Sequence, residues 1–206
     1  EKNCCIILRG KKMIESILVK KNVSLKAKIT IKSLISAGVV AFAVLLPQLV
    51  HIWAGSAGGV QWLPMYLPVL LGACLLGVWW GLGVGIVSPV VSFLITFAMG
   101  NPMPAAARLP FMIAELAMIA AIAGLFSRKI SQNGWMAFPA VLLAFVGGRI
   151  FFLLLAAIFQ NIAPFTAAAV WSQITTGLLG LVVQAILVPF LILGIRYLAD
   201  RDKNHD

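Results

Sequence analysis

Between Lys32 and Arg196 the chain has only Arg108, Glu115, Arg128, Lys129 and Arg149 as Asp, Glu, Lys or Arg residues, an interval long enough for several membrane spans. A water-soluble domain would expose far more charge over such a length. The composition agrees: 62% of residues are hydrophobic, 11% are charged, and the mean hydropathy is +1.03. A bilayer is the solvent that such a chain requires. The net charge of +10 arises mainly in the first 32 residues, where nine Lys or Arg face two acids. Lys20, Lys21, Lys26, Lys28 and Lys32 run directly into the first apolar stretch. That placement is typical of a cytoplasmic flank attracted to anionic lipid, and it argues against a nucleic-acid partner.

Apolar runs between breakers predict spans near residues 30–52, 62–78, 79–99, 108–127, 135–160 and 168–197, the second being short; crossing a bilayer takes about 20 residues. The expected fold is an all-α integral membrane protein, a bundle of six transmembrane helices. A basic segment (1–29) precedes this membrane domain (30–198), and a polar tail (199–206) follows it. The Gly-rich stretch Trp53–Trp62 reads as a loop, Gly77–Gly81 as a hairpin, and Gly100–Pro104 as a further break. The basic N-terminal segment, Arg128–Lys129, and Arg196, Arg201 and Lys203 fall on one side if the number of spans is six. Both termini are then cytoplasmic, and the 53–62 loop, Gly100–Pro104 and Gln160–Phe165 face outward. No short apolar segment with a small-residue cleavage site precedes the first span, so that span is expected to remain in the mature protein.

Catalytic patterns are missing from the sequence: there are no paired carboxylates in the membrane region and no HExxH, GxSxG or Walker A motif. The chain reads as a transport component rather than an enzyme, and if ATP drives it another subunit binds the nucleotide. Cys4, Cys5 and Cys74 supply no disulfide framework or metal site, and no cofactor is expected.

The polar residues inside the spans are more informative, because an ionisable group in hydrocarbon is costly unless it is paired or lines a cavity. Arg108 and Glu115 are seven apart and share a face of the fourth span. Arg149 lies mid-way along the fifth span, with Gln160 eleven residues on and on nearly the same face, and Gln173, Thr176, Gly177, Gly180 and Gln184 make a polar, small stripe on the sixth. Two readings stay open. These faces converge on an outward pocket in which Arg108 or Arg149 attracts an anionic or strongly hydrogen-bonding solute, or they hold helices together, with Glu115 neutralising Arg149 and the glutamines bonding between helices. His51 ends the first span three residues after Gln48 and is a candidate for solute contact; a lone His at a helix end is more often an interfacial or capping residue, and no second His or Cys near it supports haem ligation.

Three stretches carry a resemblance: LPMYLPVLLGACLLG over 63–77, GxxSPxxSFLxT over 85–96, and LPFMIAEL over 109–116. Together they resemble the substrate-binding S components of energy-coupling-factor vitamin transporters, the match running in order from about Ala37 to Phe126. The resemblance implies a six-helix protein of a prokaryotic cell membrane that captures a vitamin or related micronutrient at its outward side and hydrolyses no ATP itself. It further implies a transmembrane coupling subunit and two cytosolic ATPases as partners, with small-xxx-small contacts on the first helix, here Ala37 and Ala41. The pocket would be lined by the loop after the first helix, bounded here by Trp53 and Trp62, and by residues of the last three helices, here Arg108, Glu115, Arg149 and Gln173. The basic N-terminal extension is longer than S components generally show, and no residue set associated with riboflavin, thiamine or biotin is present. The alternative is a self-sufficient secondary transporter or channel, for which Glu115 is the one plausible protonatable coupling group.

Overall fold

The computed structural model describes residues 25–100, 104–159 and 167–202. Among them there are helices and no strands: α1 (Leu25–Trp62), α2 (Tyr66–Leu76), α3 (Val78–Ala98), α4 (Leu109–Leu125), the short α5 (Ser127–Gln132), a 3-10 turn (Gly134–Met136), α6 (Ala137–Phe159) and α7 (Ala167–Asp202). Four stretches among the described residues are long and apolar enough to cross a membrane, Ile29–Gly55, Val78–Ala98, Gly134–Phe159 and Val170–Leu198. Two apolar helices are shorter. The predicted 62–78 span contracts to the 11 residues of α2, about 16 Å of helix against a hydrocarbon core of roughly 30 Å.

The shortness of α2 follows from where it packs. Tyr66, Pro68, Val69, Leu70, Gly72, Ala73, Cys74 and Leu76 are all buried, and α2 touches α1, α3, α4 and α7. It is the central element, and α1, α3, α4, α6 and α7 close a ring around it, each packed on the next and α7 returning to α1.

Polarity is distributed as a bilayer demands. On α3 the helically spaced Gly85, Ser88, Pro89, Ser92 and Thr96 are buried, whereas Ile86, Val87, Leu94, Ile95 and Phe97 are exposed. Ser88, Ser92, Thr96, Glu115, Ser127, Arg149 and Gln184 are buried polar groups, while the exposed surface is dominated by large apolar side chains. In water that arrangement would be inside out; in lipid it removes polar groups from hydrocarbon.

Two expected breaks differ from what the chain does. The 53–62 stretch is not a loop: α1 continues through it and bends where Gly55 leaves helical geometry (φ 67°, ψ −170°). One residue suffices because glycine enters that region without a Cβ clash, while its neighbours tolerate helix. The 77–81 hairpin likewise reduces to Gly77 (φ 90°, ψ −178°). The Gly77 N–H donates to the Ala73 carbonyl at 2.9 Å, and its own carbonyl accepts from Gly81 N at 2.8 Å. The turn thereby ends α2 and starts α3, leaving Trp79 and Trp80 in the first turn of α3 rather than in a loop. Trp79 is exposed at this end of the bundle, a position that suits an indole at the membrane interface.

Candidate functional site

One end of the bundle holds a cavity of about 310 Å³. Its walls come from the C-terminal part of α1 (Pro47, Gln48, His51), the turn into α2 (Leu63, Pro64, Met65, Tyr66), Ser92 of α3, the start of α4 with its approach (Pro104 to Glu115), Phe152 of α6 and Gln173 of α7. Five long or mid-length helices and the central one thus contribute. Arg128, Lys129 and Arg196 lie at the opposite end, where the Arg196 guanidinium donates to the carbonyls of Ile130 (3.1 Å) and Gln132 (2.9 Å).

At the inner wall three helices meet in one polar cluster. The Tyr66 hydroxyl of α2 donates to Glu115 Oε2 of α4 at 2.7 Å. Glu115 Oε1 faces Arg149 Nη1 of α6 at 2.9 Å. The guanidinium also lies over the Tyr66 ring, 5.3 Å from its centroid, so it is held by a carboxylate on one side and an aromatic face on another. Glu115 and Arg149 are 2% and 6% exposed, and at that burial their charges must cancel locally. Tyr66 and Glu115 line the cavity; Arg149 does not and stands behind Glu115.

A second polar contact closes the turn between α1 and α2. Gln184 Nε2 of α7 donates to the carbonyls of Trp62 (2.7 Å) and Leu63 (2.9 Å). Trp62 ends α1, so its carbonyl has no intrahelical donor; the Leu63 carbonyl also accepts from Tyr66 N at 3.0 Å, and Leu63 has a positive φ of 46°. Gly180, one turn earlier on α7, leaves room for this approach, since a Cβ there would collide with the backbone of Gln61 and Trp62.

The predicted site residues therefore separate. His51, Arg108, Glu115 and Gln173 share the cavity. Trp53 is 88% exposed on the outer surface of α1 and does not line it. Trp62 presents its carbonyl to Gln184 and is also absent from the lining. Gln160 lies outside the described residues. Ala37 and Ala41 sit exposed on α1, away from the cavity. Tyr66, Gln48 and Ser92 are lining residues that sequence reasoning passed over. Tyr66 was legible only as an aromatic within an apolar run; Gln48 carried a signal, being a helical turn from His51. Among the described residues no group of His, Cys, Asp and Glu is placed to hold a metal ion.

Fold and site together define a multi-pass helical membrane protein with a solute-sized cavity at one end of the bundle. Residues 26–192 match the family described as the ECF transporter, substrate-specific component, and the chain belongs to that family. It is accordingly a substrate-specific component of a transporter, a class of substrate-binding transport subunits rather than enzymes. Searches of curated proteins and of solved structures each found no match.

Proposed function

We propose that this chain captures a vitamin or related micronutrient in the cavity described above and passes it inward when joined to a coupling subunit and two cytosolic ATPases. The observation that carries the reading is the position of the cavity, at the end of the bundle opposite Arg128, Lys129 and Arg196. With basic residues facing the cytoplasm, the cavity opens outward and both termini are cytoplasmic. Six crossings follow if α2 and α4, although short, each traverse the bilayer inside the ring of longer helices.

His51, Arg108, Glu115 and Gln173, joined by Tyr66 and Gln48, are the residues assigned to solute contact. Arg149 acts through Glu115. Ala37 and Ala41 give α1 an exposed face of small side chains that another helix can approach closely, and that face is assigned to the coupling subunit. Self-sufficient proton-driven transport is disfavoured, because its one candidate carrier, Glu115, is engaged by both Tyr66 and Arg149.

The test is solute binding by the purified full chain in nanodiscs, without ATP or partners, followed by thermal stability across a library of small metabolites. A saturable stabilisation that weakens in Tyr66→Phe and Gln48→Ala variants is expected. Liposome uptake driven by a proton gradient with this chain alone would overturn the dependence on partners.

A further inference from the structure

The inner wall of the cavity, where Tyr66 and Glu115 line it, has one hydrogen-bonding sense. The Tyr66 hydroxyl commits its single proton to Glu115 Oε2, at 2.7 Å, and a tyrosine oxygen so engaged can only accept. Glu115 faces the Arg149 guanidinium at 2.9 Å, and a carboxylate offers acceptor sites alone, about four between its two oxygens. Its Oε1 meets Arg149 as a charge but accepts no hydrogen bond among the described residues. The Arg149 nitrogens are themselves buried behind Glu115 and are not part of the lining. What this wall offers a solute is therefore acceptor capacity.

Charge restricts the partner further. The carboxylate and guanidinium, 2% and 6% exposed, already cancel, so a second charge brought against them finds no counterion at this wall. A solute carboxylate would set acceptor against acceptor as well as add a negative charge. An ammonium would donate, but with the Glu115 charge already matched it would leave a net cation in a buried site. A neutral O–H or N–H group meets both conditions, because it donates and adds no charge. Beside the pair, Met65, Met112 and Phe152 give the cavity apolar walls. Its volume of about 310 Å³ lies at the small end for ligand sites, which run from roughly 300 Å³ upward.

We infer that the solute presents an uncharged hydrogen-bond donor, a hydroxyl or an N–H on a small and mainly apolar body, to the Tyr66–Glu115 pair. This rests on the proposed role of the cavity in solute capture and gives that role a direction, with the donor end lying inward. Arg149 is then a positioning residue. It holds the Glu115 carboxylate as half of a neutral pair without touching the solute, and so sets the donor to be neutral rather than cationic.

The experiment uses the full chain in nanodiscs and reads thermal stabilisation and affinity for para-substituted acetophenones that differ in one group: hydroxyl, amino, methoxy, carboxylate or aminomethyl. A library of small metabolites follows, each stabilising compound being compared with derivatives methylated at its O–H and N–H groups. The hydroxyl and amino probes should bind about tenfold more tightly than the methoxy probe, and the metabolites than their donor-less derivatives. The carboxylate and aminomethyl probes should bind more weakly than the hydroxyl probe. In Glu115→Gln/Arg149→Met the new amide both donates and accepts, so the donor preference should vanish while methoxy binding persists, which also shows that the variant is folded. Arg149→Met leaves the carboxylate without its cation and should gain binding of the aminomethyl probe, a change of charge selectivity that a merely structural arginine would not produce. Donor-less or charged probes binding as tightly as the hydroxyl probe, or a donor preference unchanged in the double variant, overturn the inference and leave solute capture standing. No gain of the aminomethyl probe in an Arg149→Met protein that still binds the hydroxyl probe overturns the role given to Arg149. Absence of any stabilising compound, in probes and library alike, overturns both the inference and solute capture.

Discussion

Removing the Arg149 guanidinium while keeping its stem is the sharpest test of how the bundle tolerates charge. In Arg149→Met the Glu115 carboxylate, 2% exposed, loses the cation 2.9 Å away and retains only the Tyr66 hydroxyl at 2.7 Å. Breaking a buried pair from one side costs about 3–5 kcal/mol, because an uncompensated charge is left behind. The methionine chain keeps much of the packing of the arginine methylenes, so little of the loss should come from a cavity. The double variant Glu115→Gln/Arg149→Met removes both charges and should recover most of the stability, within about 1–2 kcal/mol of the parent. Tyr66→Phe removes one hydrogen bond to an ionised acceptor and should cost about 1.5–3 kcal/mol. The assay is a denaturant titration of the full chain in mixed micelles, with the double-mutant cycle giving the coupling directly. If Arg149→Met costs no more than about 1 kcal/mol, or the double variant equals the sum of the two singles, then Glu115 and Arg149 do not compensate each other and the argument fails.

Three further outcomes are expected. Gly81→Ala should destabilise by about 1–3 kcal/mol through overpacking, since a Cβ at Gly81 would lie 2.7 Å from the Ala73 Cα; Gly83→Ala, with nothing within 4 Å, should be neutral or slightly stabilising in the same titration. Gln184→Leu should cost about 1–3 kcal/mol by removing the donor to the Trp62 carbonyl and leaving the Leu63 carbonyl with the Tyr66 N–H alone, and increased proteolysis between α1 and α2 should report the loosened turn. Ala37→Leu combined with Ala41→Leu should leave solute stabilisation unchanged and abolish co-purification with the coupling subunit; retained complex formation would refute that assignment of the α1 face.

Local patterns made part of the candidate site visible in the sequence. Arg108 and Glu115 share a helix face because the spacing of seven is almost two full turns, a property of one helix alone, and both line the cavity. The inward face of α3 is similarly local, carried by Ser88, Ser92 and Thr96. Other features depended on partners remote in the chain. Glycines 55, 58 and 59 suggested a loop, yet the backbone departs from helix only at Gly55, and the end of α1 is secured by Gln184, more than a hundred residues away. Tyr66 gained a role only when α2 became the centre of the ring, which set its hydroxyl against Glu115.

Charge spacing alone fixes the solvent and the cost: a long interval with so few charges belongs in a bilayer, and each charge that falls within a span has to be paired or face a cavity. It could not say which of these alternatives applies to which residue, because ion pairing is a matter of a few ångströms between helices. The packing of the helices settles it for Glu115 and Arg149. Packing α4 against α6 spends Arg149 on Glu115, whereas the start of α4 carries Arg108 to the cavity. Two arginines that look alike in a list of intramembrane charges thereby take different places, Arg149 against Glu115 behind the inner wall and Arg108 on the cavity lining.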